Sequence, residues 1–157
     1  MLKIFFSFPF GSLLSTSKNQ YNVNFVGPTF GNEYNFGGMS ISGLVEAFEK
    51  RMIIAPIEFE KLSLLWRAYQ EDRFEDMTGI AESLSKKYPF LLPAIKAHID
   101  RFPKVGNPGR IQQTLLEIVK DLGNTDFNAV FNEFIRREPI YGFGDLQVKR
   151  IFRKIQI

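Results

Sequence analysis

From Ser40 to Ile155 the apolar residues recur three and four positions apart, and this period constrains the chain more than any other feature. Such spacing puts apolar side chains on one face of a 3.6-residue helix, where a strand would need strict alternation. The segment is punctuated where helices need to start and stop. Ser40 or Ser42 can cap a helix running through Arg51, with Leu44, Val45 and Phe48 turned inward. Pro56 suits the first position of the next helix, because its missing N–H goes unused there. That helix carries Phe59, Leu62, Leu65, Trp66 and Tyr69 on one face. A third helix is expected from about Phe74 to Lys86, and a fourth from after Pro89 to Arg101. The run "FPKVGNPG" then breaks the pattern with two prolines and two glycines.

Three more helices follow. "GRIQQTLLEIVKDLG" places Ile111, Leu115, Ile118, Val119 and Leu122 together and stops at Gly123. "TDFNAVFNEFIRRE" has Thr125 or Asp126 as its cap, with Phe127, Val130, Phe131 and Phe134 apolar. "GDLQVKRIFRKI" has Asp145 as cap and as a negative charge at the positive end of the helix dipole. Residues 1–38 differ: Lys3, Lys18 and Glu33 are their only charges, and Phe, Gly, Asn and Ser dominate. "KIFFSF" and "YNVNFVG" read as short strands there. The expected fold is mainly α, six to seven helices with a short β segment at the N-terminus. Its organisation is read as 1–38 β or irregular, 39–103 a helical subdomain, and 104–157 a trihelical C-terminal unit.

Composition removes several function classes. The chain has 157 residues, no cysteine and one histidine, His98. Thiol catalysis, disulfides and thiolate metal sites are excluded, and no HExxH or paired-histidine spacing suggests a metal. Glu71-Asp72 and Glu75-Asp76 read as solvated helix-end charges. "GPTFGNEYNFGG" has glycines without a GxGxxG or Walker pattern. No nucleophile stands beside the single histidine, so no enzyme activity, cofactor or metal is expected. No apolar run reaches the ~18 residues of a membrane span. "MLKIFFSFPFGSLLSTS" has the outline of a signal peptide, but Pro9 interrupts the apolar run and Lys3 is its only cation. A cytoplasmic protein is the expectation.

Charge is unevenly placed. The net charge is +3, yet from Arg136 to the end six cations stand against two acids, so the preceding 135 residues sum to −1. The cations are Arg136, Arg137, Lys149, Arg150, Arg153 and Lys154. On the last helix Val148, Ile151, Phe152 and Ile155 form a stripe at i, i+3, i+4 and i+7, leaving its four cations on the other side. Three helices with the third one basic is the order of a helix-turn-helix unit, whose last helix enters the major groove. The six cations are therefore a candidate nucleic-acid surface, with DNA as the candidate partner. The alternative is a solvated face, or a protein-interaction fragment that associates with a second copy or docks on an N-terminal half encoded elsewhere. The 17 phenylalanines, many of them before residue 37, favour that second reading.

"HIDRFPKVGNPGRIQQTLLEIVKDL" followed by "YGFGDLQVKRIF" resembles the C-terminal part of an uncharacterised bacterial family, the domain of unknown function eighteen thirty-five, in its Bacteroidetes-type form. The likeness runs from about Gly37 to Ile155 and includes "GMSISGLVEAFEKR", "LWRAYQ" and "YPFLLPAIKAHIDRFP". It implies a helical part ending in a winged-helix-like unit, and no activity. Family members are about twice as long, with an N-terminal half that is missing here, and a two-strand wing would follow the last helix. The resemblance singles out His98, Arg101, Phe102, Pro103, Gly109, Arg110, Gly144 and Asp145. His98 and Arg101 share a helix face. They could hold an anion, but the preferred reading is structural: they tie the "FPKVGNPG" loop to the helices through its carbonyls.

Overall fold

A computed structural model describes residues 24–27, 36, 39–123 and 126–155 of the chain. Among them are seven α-helices and one two-stranded antiparallel sheet: β1 (Asn24–Phe25), α1 (Ile41–Glu49), β2 (Met52–Ile53), α2 (Pro56–Gln70), α3 (Phe74–Leu84), α4 (Leu91–Asp100), α5 (Arg110–Leu122), α6 (Phe127–Arg137) and α7 (Asp145–Ile155). A 3-10 turn, Pro139–Tyr141, links the last two helices. The protein is thus mainly helical with a short β segment near its N-terminus. The strand expected in "KIFFSF" and the alternative cap Thr125 lie outside the described residues.

The chain separates into two compact units, Met1–Ile95 and Lys96–Ile157, so α4 contributes its first half to one and its second half to the other. The sequence reading had put its boundary after Pro103, at the proline-glycine break.

In the first unit Ser40 is the cap of α1, its Oγ accepting from Gly43 N–H at 3.1 Å. Pro56 opens α2 as expected, and Glu58 accepts from Ala55 N–H at 2.8 Å. α2 ends on Asp72, which holds a left-handed φ of 53°, with Arg73 N–H reaching back to Ala68 C=O at 2.9 Å. Glycine usually fills such a place; aspartate is one of the few other residues that tolerates it. α2 and α3 pack on each other through Leu65, Ala68, Met77, Ala81 and Leu84, all buried. β2 was not foreseen. It follows α1 after only Lys50 and Arg51 and pairs Met52 with Phe25 and Ile53 with Asn24. Phe25 stacks on Phe90, with ring centroids 5.3 Å apart.

One expectation for this unit fails. Leu44, Val45 and Phe48 do not point inward: with Ile41 they are 40% to 83% exposed, and the buried residue of α1 is Ala47.

In the second unit α5, α6 and α7 surround one core: Ala97, Ile111, Leu115, Ile118, Val130, Phe134, Tyr141, Val148 and Phe152. Gly123 ends α5 in the left-handed conformation, and Asp126 caps α6, its carboxylate accepting from Ala129 N–H at 3.0 Å. Val148 and Phe152 are buried, and Ile151 and Ile155 pack beside them. Burial at that depth contributes about 1.5–3 kcal/mol for each large apolar side chain. Asp145 is not the cap of α7. Gly144 occupies that place, its carbonyl accepting from Val148 N–H at 3.2 Å and its N–H donating to Gln147 Oε1 at 3.1 Å. Asp145 begins the helix instead, accepting from Leu146 N–H at 2.7 Å, where its charge still favours the dipole.

Candidate functional site

The six cations read as one surface fall into two sets. On α6, Glu133 precedes Arg136 and Arg137 by three and four positions, the spacing that brings side chains together on a helix. Its carboxylate takes Arg136 Nε at 2.7 Å and Nη2 at 2.6 Å, and also Arg137 Nε at 2.6 Å. Arg137 Nη2 reaches Asp121 on α5 at 2.8 Å. The hydrogen bonds from Arg136 first, then Arg137, push the Glu133 carboxyl down to about 2. Both arginines therefore carry local counter-charge.

The cations of α7 are placed differently. Because Val148 and Phe152 must face the core, Arg150, Arg153 and Lys154 stand exposed. None has a hydrogen-bond or ion-pair partner among the described residues. Lys149 is half-buried, its Nζ 5.2 Å from the centre of the Phe127 ring. That cation–π contact steadies the ammonium without cancelling its charge. The outward face of α7 is thus a cationic surface with no acid paired to it among the described residues.

A second cluster explains how α7 is held. Glu138 is buried at the end of α6, although an acid is expensive to bury unless it is paired. Its Oε1 accepts from Arg110 Nε at 2.9 Å and from Thr114 Oγ1 at 2.9 Å. Arg110 Nη2 lies 2.9 Å from Oε2 as an ionic contact, out of line for a hydrogen bond. The bond to Glu138 holds the Arg110 pKa above its ordinary value, and Asp100 adds a longer contact of 3.7 Å. Arg110 opens α5, where a cation opposes the helix dipole; these two acids offset that. Tyr141, three residues on, donates to Ala97 C=O at 3.0 Å, and burial pushes its hydroxyl up to about 12. Together these contacts lock the α6–α7 link onto α4 and α5.

Of the residues singled out by resemblance, Gly109 shapes the loop between α4 and α5, by a route the sequence did not show. Gly109 has φ 91°, and a Cβ there would lie 2.3 Å from the Arg101 carbonyl oxygen, so only glycine fits. Asn107 Oδ1 accepts from Gly109 N–H at 2.8 Å, and Lys104 and Asn107 exchange backbone bonds of 2.8 and 2.9 Å. The expected tie by Arg101 is not made: its guanidinium lies 5.6 Å over the Phe102 ring and bonds no loop carbonyl among the described residues. His98 is buried and meets Phe102 edge-on at 5.3 Å. Phe102 is half-buried and Pro103 exposed.

In the first unit an open cleft is lined by Ile57, Glu58, Lys61, Ser83, Lys86 and Lys87. Glu58 is engaged there by Lys87 Nζ at 2.6 Å, with Tyr88 Oη at 3.2 Å, and Lys87 chiefly holds its pKa down. The lysine also reaches Ile53 C=O at 2.9 Å. This is a structural knot joining β2, α2 and the end of α3. Among the described residues no helix is long and apolar enough to cross a membrane, and no group of three acids or histidines could hold a metal. Comparison with protein-family models, with curated proteins and with solved structures returns no match.

Proposed function

We propose that this chain is a non-catalytic, cytoplasmic binding protein that contacts nucleic acid through the outer face of α7. The carrying observation is the contrast within one unit: Arg136 and Arg137 are satisfied by Glu133 and Asp121, while Arg150, Arg153 and Lys154 have no such partners among the described residues. Fixed, un-neutralised cations on a rigid helix are what a polyanion needs. The interface so drawn is narrower than the six residues first read, and comprises Lys149, Arg150, Arg153 and Lys154. The resemblance to the family of unknown function adds no activity to this reading.

Fluorescence anisotropy of a labelled duplex of arbitrary sequence, titrated across salt, tests it. Each phosphate contact adds about −0.9 to the slope of log affinity on log salt, so the four cations of α7 give at most roughly −3.6. Arg150→Ala/Arg153→Ala should weaken binding, and unchanged binding in that variant counts against the reading. Absence of binding at low salt to duplex or single strand defeats the proposal.

A second reading, contact with a protein partner or a second copy, rests on the exposed stripe of α1, Ile41, Leu44, Val45 and Phe48. Light scattering across concentration decides it: growth in mass that Phe48→Ser abolishes supports self-association, and a monomer at all concentrations removes that form of it.

A further inference from the structure

The cations of α7 are not merely exposed; they are arranged about a line. At about 100° per residue, the direction opposite the buried stripe is occupied by Leu146, Arg150 and Arg153. Lys149 and Lys154 stand about 70° to either side of that crest. The helix therefore presents two arginines on its crest, an exposed leucine at the crest's N-terminal end, and one ammonium on each shoulder. Asp145, the acid nearest this surface on α7, turns its carboxylate back onto Leu146 N–H.

Resting on the nucleic-acid reading above, we infer that the ligand is B-form duplex DNA and that α7 lies in its major groove. In this placement Arg150 and Arg153 face base edges, and Lys149 and Lys154 face the two flanking phosphate strands. The major groove is about 12 Å wide and takes a helix about 10–12 Å across. An ammonium on each shoulder then meets a phosphate wall, while the planar guanidiniums of the crest match the paired acceptors N7 and O6 of guanine. Leu146 carries no charge for phosphate and suits the methyl group of thymine. Arg150 lies about 6 Å along the axis from Leu146, and Arg153 about 4.5 Å further, so the crest spans about three base-pair steps. Duplex RNA does not fit, because its major groove is deep and narrow. A lipid surface does not fit either, since the apolar stripe a surface helix would insert is buried in the unit's core.

Selection of the full-length protein against a pool of duplexes randomised at their centres should recover a short motif containing guanine. Replacing its guanines by 7-deazaguanine, which removes N7 alone, should weaken binding about tenfold. Arg150→Ala/Arg153→Ala should bind the two duplexes equally. Lys149→Ala/Lys154→Ala should keep the tenfold difference while its salt slope becomes shallower by about 1.8. Equal affinity of the unaltered protein for the guanine and 7-deazaguanine duplexes, or equal competition by duplex RNA, overturns the groove assignment and leaves the broader binding proposal standing. Failure to bind any nucleic acid at low salt overturns both.

Discussion

α1 and α7 carry the same pattern and meet opposite fates. Ile41, Leu44, Val45 and Phe48 repeat the i, i+3, i+4, i+7 spacing of Val148, Ile151, Phe152 and Ile155. In α7 the stripe faces α5 and α6 and is buried or half-buried; in α1 the corresponding residues are exposed and only Ala47 is covered. Periodicity thus selects a face of a helix but not what lies opposite it. What commits α7 is a set of long-range pins, Glu138 to Arg110 and Thr114 and Tyr141 to Ala97, none of which belongs to the stripe itself. The charged faces diverge in the same way. The cations of α6 pair with acids on α6 and α5, and those of α7 have no such pairing among the described residues.

Truncating each stripe gives the widest separation. Phe152→Ala should cost about 3–5 kcal/mol, because a ring leaves a closed core, whereas Phe48→Ala should change stability by no more than about 0.5 kcal/mol. Urea denaturation of the two variants measures both, and equal losses would mean that α1 is packed after all. Loosening the pins comes next. Glu138→Gln keeps the size but removes the charge that Arg110 and Thr114 address, with an expected loss of about 1.5–3 kcal/mol. Tyr141→Phe should cost about 1 kcal/mol through the lost bond to Ala97.

The Tyr141 pin also has a pH signature. Its hydroxyl is raised in the fold to about 12, so its contribution is complete below the ordinary value of 10 and is lost as pH rises through about 12. Stability of the unaltered protein should fall over that window more steeply than that of Tyr141→Phe, as read by thermal melts. Glu133 works in the other direction. Its carboxyl, held down to about 2, contributes fully above its ordinary value of 4.5, and the contribution fades as pH falls toward 2. A carboxyl carbon titration of Glu133 by NMR should show its midpoint near 2, and a midpoint near 4.5 would mean that the α6 arginines are free. Asp72→Gly relieves a left-handed residue and should stabilise by up to about 1 kcal/mol.

The contrast also shows where sequence reasoning reaches. Val148, Ile151, Phe152 and Ile155 were legible because local period alone sets the inner face, and Pro56 and Gly123 because their backbone chemistry is local. The fate of α1 was not, because it depends on residues distant in sequence. β2 escaped for a similar reason: two residues pair with Phe25 and Asn24 from another part of the chain. Arg136 and Arg137 were counted as free because net charge ignores spacing, although Glu133 at i−3 and i−4 was in view. Glu138 was missed outright. It continues the Val130, Phe134 line at i+4, so an acid was falling on a buried face, and that signal was available. Gly109 was singled out only by resemblance, and the close approach of the Arg101 carbonyl that demands glycine there appears only in three dimensions.

Paired cations on α6 and unpaired cations on α7 are the heart of the functional account, and one salt titration of duplex binding separates them. For the unaltered protein the slope should be roughly −1.8, from Lys149 and Lys154, and Arg136→Ala should leave it unchanged, because that guanidinium is already spent on Glu133. Lys149→Ala/Lys154→Ala should make it shallower by about 1.8. Equal loss of slope per cation removed from the two helices, or no binding to titrate, would contradict the account.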